Sequence, residues 1–349
     1  MATVTAQAPA RPVARVGRLR RDRLPLAKQA LLQALCLFIL LTVLFPILWV
    51  FSLSLDPLNR SRPEGLSLIP EGATLEAYAQ VIRQPTNNPI SFPELALNSL
   101  KIALGSSVAS VLIGVSAAYA FSRLRFRGRE VLMLVILGVL MLPPVATLTP
   151  LFVMLNQVQV ELPVLGQFNL RNSLMGVGLA IVSGLLPFAI WNLKGYLDTI
   201  PRELEEAAAV DGATLNQTFV RIVLPLATPA LAVTAFLGFV AGWTEFYFSW
   251  QFLNKPGDQT LAMALYSMQG QYTNTPWSVF SAFAILFAIP PAVVYFFFQR
   301  YITSGLAIGA VKGCRRAAGG STRGRRSGRS GTRGRPRGRP SGRSGAPGR

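Results

Sequence analysis

The residue types that usually carry chemistry are nearly missing from this chain of 349 residues. It has no histidine, and so no imidazole base and no imidazole ligand. Its two cysteines, Cys36 and Cys314, are too far apart in sequence to suggest a zinc site, and two thiolates alone cannot enclose the ion. None of its lysines follows a glycine, which removes the Gly-Lys-Ser/Thr phosphate loop. The chain therefore cannot hydrolyse ATP by itself, and no cofactor is expected. What remains is one polar interruption between long apolar stretches. Three acids, Glu203, Glu205 and Glu206, open it; Ala207, Ala208 and Ala209 follow, then Val210 and Asp211-Gly212. Nine residues past the glycine comes Ile222-Val223-Leu224-Pro225. Acids, small side chains and a breaker make a docking surface rather than a bond-making one.

The local signals build a helix, a turn and a second helix. Pro201 suits a first helical turn, with Thr199 before it as a candidate cap. The three acids favour the positive end of a helix dipole. Leu204, Ala207 and Ala208 share one face at i, i+3 and i+4. Asp211-Gly212 supplies a turn in which glycine takes a positive φ without strain. An alternative is an amphipathic loop lying on the bilayer. The acids argue against it, because such helices are usually basic on their polar side.

The elements around this foot belong in a membrane. The chain is 51% hydrophobic and 14% charged, with a mean hydropathy of +0.41. Soluble domains carry roughly 25% charge. Six apolar spans are expected, near residues 31–53, 97–120, 131–155, 174–193, 226–248 and 278–298. Each is long enough for a hydrocarbon core of roughly 30 Å. Basic residues set the orientation. Arg11 to Lys28, then Arg123, Arg125, Arg127 and Arg129, then Lys194, Arg202 and Arg221, and finally Arg300 and Lys312 mark alternate ends. Both termini and the foot are thus expected in the cytoplasm, with loops 54–96, 156–173 and 249–277 outside. The first span is too long for a signal-peptide core and reads as an uncleaved anchor.

Small residues recur every fourth position along three spans. They are Ser106, Ser110, Gly114 and Ala118; Gly176, Ala180 and Gly184; and Ala230, Thr234, Gly238 and Gly242. Such stripes let helix backbones approach closely. The third stripe follows the foot directly, so Gly238 and Gly242 are candidates for a translocation path or outer gate. Glu245 joins them as the one acid placed near membrane depth, either functional there or at the interface beside Trp243, Tyr247 and Trp250.

The polypeptide divides into a basic tail (1–30), a six-span domain (31–313) holding the foot (about 196–225), and an Arg/Gly-rich tail (314–349). The last tail has twelve arginines and no acid or aromatic residue. It cannot bury a core and is expected to be disordered. Attraction to nucleic acid or anionic lipid is one reading. Another is an extension without function, as out-of-frame translation of GC-rich DNA would produce. Nucleic acid is not expected as a partner, since no aromatic residue is present to stack on bases.

The spacing Glu206-Ala207-Ala208, Asp211-Gly212, Ile222-x-Leu224-Pro225, with Ile200-Pro201 and Glu203-Leu204 before it, resembles the EAA coupling loop of the permeases of binding-protein-dependent ABC importers. The ending Gly309-Ala310-Val311-Lys312-Gly313 resembles that of the carbohydrate-importing class, and within it the smaller permease of the maltose/maltodextrin branch. The resemblance covers about residues 25–313. It implies an all-α polytopic membrane protein, the type I ABC importer permease fold, in a prokaryotic inner membrane. It implies as partners a second, non-identical permease, two copies of a cytoplasmic ABC ATPase, an extracytoplasmic sugar-binding protein and membrane lipid. Glu206, Ala207, Ala208, Asp211, Gly212, Leu224 and Pro225 would couple ATPase closure to alternating access. The loop with Tyr266, Gln269, Gln271, Tyr272 and Asn274 would reach the binding protein. The solute would be maltose or maltodextrin, another oligosaccharide or glycerol phosphate. A reading of another class is a membrane scaffold whose basic tail recruits nucleic acid or lipid.

Overall fold

The computed structural model describes residues 25–58, 69–162, 166–269 and 275–319. The chain begins with α1 (Leu26–Ser54), a long apolar helix, followed by the short α2 (Glu76–Arg83) and by α3 (Phe92–Arg123). Then come α4 (Arg129–Val139), α5 (Pro144–Gln157) and an antiparallel hairpin of β1 (Gln159–Leu162) and β2 (Gly166–Asn169). The second half holds α6 (Leu174–Leu197), α7 (Glu203–Val210), α8 (Leu215–Thr218), a π turn (Phe219–Val223) and α9 (Leu224–Trp243). It closes with α10 (Tyr247–Phe252), α11 (Leu261–Ser267) and α12 (Trp277–Gly319). The fold is helical, and the small hairpin lies in a loop the sequence had left without secondary structure.

Five helices among the described residues are long and apolar enough to cross a membrane: α1, α3, α6, Leu215–Trp243 and Trp277–Tyr301. The third expected span, 131–155, is not one helix. Its halves, α4 and α5, meet at a bend of 101°. The cause is Pro143-Pro144. Pro144 starts α5, where its missing N–H costs nothing, and Pro143 is held extended at ψ 137°. The fifth span also ends earlier than expected, at Trp243 rather than near residue 248. The Glu245 carboxylate there accepts a hydrogen bond from the Phe248 N–H at 2.5 Å and starts α10 instead. Glu245 is half-buried in this turn between helices. At the other end of the chain, α12 continues past Gly313 to Gly319, so the tail's first residues are helical.

Two compact units divide the chain. One comprises residues up to Ser99 with Ser249–Pro290. Its polar ties are long-range in sequence. Asn98 donates to the carbonyls of Gly257 and Gln259 at 2.7 and 3.0 Å, and the Leu261 N–H donates to Ser99 Oγ at 2.9 Å. Phe92 meets Phe283 edge-on at 5.3 Å between centroids. Along α1, by contrast, Leu31 through Phe51 present large apolar side chains outward. That is the surface a lipid-facing helix needs.

The other unit comprises Leu100–Phe248 with the chain from Pro291 onward. Its centre is α3, α6 and α9 packed on their small residues. A Cβ added to Gly242 would lie 2.7 Å from the Ala103 Cα, and one on Gly238 would lie 3.0 Å from the Ser107 Cα. Gly114 approaches α6 in the same way, 3.1 Å from the Ala189 Cβ. Serine hydroxyls take advantage of the short separation. Ser107 donates to the Ala235 carbonyl at 2.7 Å, and Asn192 donates to Thr234 Oγ1 at 3.3 Å. In hydrocarbon such bonds hold helices that have no hydrophobic drive to associate. One expected stripe is incomplete. Gly184 faces open space, while Gly176 is needed because a Cβ there would strike the Leu170 carbonyl.

Candidate functional site

At one end of the second unit, Val115, Ala118, Leu193, Leu197, Ile200, Val223, Ala227 and Ala230 close into an apolar cluster. The foot stands on it. Helix α7 is not capped by Thr199, contrary to the sequence expectation. Thr199 instead donates to the Tyr196 carbonyl at 2.7 Å and finishes α6, leaving Arg202 as the flanking residue of α7. The far end of α7 is closed by Gly212 at φ 85°. The Gly212 N–H donates to the Ala209 carbonyl and the Ala213 N–H to the Ala208 carbonyl, at 3.1 and 2.9 Å. This pair of bonds satisfies carbonyls that a helix end leaves orphaned, and it requires the left-handed residue between them. A Cβ on Gly212 would meet nothing, so backbone conformation rather than space demands glycine.

The next helix begins at once. Thr214 Oγ1 accepts from the Gln217 N–H at 3.3 Å, and the Gln217 side chain accepts from the Thr214 N–H at 2.9 Å. This reciprocal box fixes the start of α8. The π turn follows, with the Leu224 N–H reaching back to the Phe219 carbonyl. Pro225 explains it. With no N–H and a ring that crowds the carbonyl four residues back, proline disfavours the α register here. Leu224 is half-buried and Pro225 exposed where the chain re-enters the membrane helix.

The residues expected to couple do not all face one way. Ala208 turns inward, while Leu204, Glu206, Ala207, Asp211 and Gly212 are exposed. Val210 and Leu215 extend the outward surface and are 88% and 72% exposed. An apolar surface this open, ringed by Glu206 and Asp211, suits a protein partner better than water.

The three acids also separate. Glu205 turns inward and forms an ion pair with Arg123, with Nε and Oε1 2.5 Å apart and side chains only 8% and 14% exposed. Tyr119 donates to the other Glu205 oxygen at 3.2 Å. Arg123 Nη2 donates to the carbonyls of Leu197 and Ile200, both at 3.1 Å. Arg202 donates to the Ser122 carbonyl at 2.9 Å. Ser122 Oγ donates to Asp198 at 2.6 Å, and Lys194 holds the other Asp198 oxygen at 2.6 Å. Burial pushes the Asp198 carboxyl up, but the bonds from Lys194 and Ser122 outweigh it and leave it below the usual carboxylate range. The end of α3 is thereby bolted to the α6–α7 turn. Sequence reading placed Arg123 only as a topology marker and missed this bolt.

Gly238 and Gly242 are buried against α3, close to Ser107 and Ala103. In the first unit, Tyr266 stands 48% exposed on α11, its ring edge-on to Trp250 at 5.3 Å, and Gln269 is exposed just beyond. Gln271, Tyr272 and Asn274 lie outside the described residues. The same unit has a cleft of about 930 Å3 that includes Glu76, Gln80, Arg83, Asn87 and Asn88. No single sequence signal pointed to it. Among the described residues, no group of histidine, cysteine or carboxylate side chains could hold a metal ion.

Comparison with known proteins places this geometry. The trehalose/maltose transport system permease protein MalG of Thermococcus litoralis is 34% identical, over 82% of this chain and 98% of that one. The galactooligosaccharides transport system permease protein GanQ of Bacillus subtilis is 32% identical, over 79% and 93%. The maltose/maltodextrin permease MalG of Escherichia coli K12 is 34% identical, over 82% and 97%. The fold matches a chain of a bacterial ABC transporter involved in alginate import with a TM-score of 0.64 at 23% identity, over 79% of this chain and 97% of that one. The described helices thus form a multi-pass ABC importer permease fold. The pattern of one family covers residues 110–308, a stretch that includes the bolt, the foot and α9. With that match and these relatives, the chain belongs to the family of binding-protein-dependent transport system inner membrane components.

Proposed function

We propose that this chain is one of two non-identical permease subunits of an ATP-driven importer of maltose, maltodextrin or a related oligosaccharide. The single observation that carries the reading is the foot. Gly212 closes α7, Glu206 and Ala207 face outward, and Glu205 is locked to Arg123 beneath them. A surface so built can be gripped from outside while its base moves with α3 and α6. Two ATPase subunits grip such feet in the cytoplasm, one on each permease. Their closure on ATP turns the membrane helices outward, and hydrolysis resets them. In this arrangement the N and C termini are cytoplasmic. A sugar-loaded binding protein approaches from the other side, where Tyr266, Gln269 and the polar cleft beside α2 offer hydrogen-bonding surface.

Sugar is favoured over other solutes by the relatives' names, which specify trehalose/maltose, galactooligosaccharides and maltose/maltodextrin. Their variety keeps the exact oligosaccharide open to assay, with glycerol phosphate as the alternative solute. The test is reconstitution in liposomes with the partner permease, ATPase and binding protein. Maltodextrin-loaded binding protein should stimulate ATP hydrolysis and sugar uptake. Stimulation by glycerol phosphate instead, or by no oligosaccharide, contradicts the reading.

A further inference from the structure

The turn between α3 and α4 carries charge that the foot and the bolt leave unused. Beside it, within the second unit, lies a cavity of about 920 Å3. Arg125, Arg127 and Arg129 stand on its wall together with Lys194 of α6. Two carboxylates answer these four cations. Glu130 is on the lining, and Asp198 binds Lys194 and lies within the field of Arg129. Arg125 and Arg127 are exposed. The start of α4 adds partial positive charge to the same mouth, with no side chain capping it.

The remaining wall is apolar. Phe126, Val131 and Leu134 line it, and Val131 and Leu134 are 65% and 69% exposed. A cationic rim that runs into exposed hydrocarbon, at the ends of two apolar helices, fits a ligand with an anionic head and an acyl chain. Free phosphate would use the rim and leave the wall wet. A soluble acidic segment would have no reason to lie along Val131 and Leu134 at the membrane edge.

We propose that this cavity binds an anionic phospholipid, its headgroup phosphate held by Arg125, Arg127 and Arg129 and its acyl chain lying along Val131 and Leu134. The site adjoins the bolt, since Lys194 lines the cavity and also holds Asp198. Lipid is thereby placed where it stiffens the α3–α4 turn next to Arg123. The orientation proposed above enters only in assigning the lipid to the cytoplasmic leaflet.

The test uses the full chain in detergent, exchanged with phosphatidylglycerol, phosphatidylcholine or inorganic phosphate, and counts bound ligand by native mass spectrometry. Phosphatidylglycerol should be retained over phosphatidylcholine. Changing Arg125, Arg127 and Arg129 together to Gln should weaken its retention by about fivefold per cation, ~100-fold in all. Changing the same three to Lys keeps the charge and should hold affinity within a few-fold. If the triple Gln variant misfolds, Arg125→Gln with Arg127→Gln, both exposed, should still weaken retention by about 25-fold, and undiminished retention there overturns the proposal. Equal retention of both lipids, or undiminished phosphatidylglycerol on the Gln variant, overturns the proposal. Inorganic phosphate matching phosphatidylglycerol at equal concentration also overturns it, by making the site one for a free anion. Detergent exposes both ends of the chain, so an inverted topology would leave these results unchanged and be detected separately by labelling.

Discussion

Arg123 Nε lies 2.5 Å from Glu205 Oε1, joining residues 82 positions apart at the base of the foot. Both side chains are largely withdrawn from water, and the guanidinium also holds two carbonyls at the end of α6. Removing one partner strands the other. Glu205→Ala should destabilise the second unit by about 3 kcal/mol or more, the usual cost of an orphaned buried charge. Replacing both, as Arg123→Met with Glu205→Gln, should cost less than the sum of the single changes. Denaturation of the wild type, Arg123→Met, Glu205→Gln and the double variant in detergent measures that coupling; additive losses would mean the pair is incidental.

Close approach of α3 and α9 gives a second expectation. Gly242→Ala places a Cβ 2.7 Å from the Ala103 backbone and must push the helices apart, at about 1–3 kcal/mol. Gly184→Ala meets nothing and should be neutral or slightly stabilising. Thermal midpoints of the two variants check this, and equal midpoints would contradict the packing described.

Asp198 makes the bolt acid-sensitive in a defined window. Its folded pKa is lowered, so its contribution is fully present above the unfolded value of about 3.9 and is lost as pH falls through the folded value. Asp198→Asn should therefore shift stability at pH 7 and leave it nearly unchanged at the acid end. A difference that grows as pH falls below about 4 would reverse the assigned sign.

Much of this arrangement was legible because it depends on local pattern. Hydropathy located α1, α3, α6, α9 and α12, and the acid–alanine–glycine run located the foot. Gly212 was identifiable since a turn residue carries its φ requirement locally. The break between α4 and α5 was missed because apolar content stays high across Pro143-Pro144 while the backbone cannot. The inward turn of Glu205 was missed for a different reason. Three acids within four positions look equivalent along one strand of sequence, and only Arg123, far back in the chain, distinguishes them. The start of α7 was misassigned because Thr199 found a nearer acceptor at the end of α6.

The proposed orientation can be checked by labelling. Cysteine placed at Asn216, exposed in α8, should be labelled only from the cytoplasm, and at Asn87 only from outside. External labelling of position 216 in intact cells would remove the foot from the ATPase side.

Residues 203–225 are proposed to be the surface that the ATPase grips. Glu206 is exposed beside the apolar surface, so its partner cation would be left unpaired in Glu206→Ala, at roughly 2–5 kcal/mol of binding. Gly212→Val acts differently, forcing a β-branched residue to φ 85°. The decisive measurement is co-purification of the ATPase with each variant, followed by sugar-stimulated ATP hydrolysis in liposomes. Both variants should lose ATPase and stimulation, while sugar binding to the separate binding protein is unchanged. Wild-type assembly and wild-type hydrolysis in both would contradict the account and leave the foot as a surface loop.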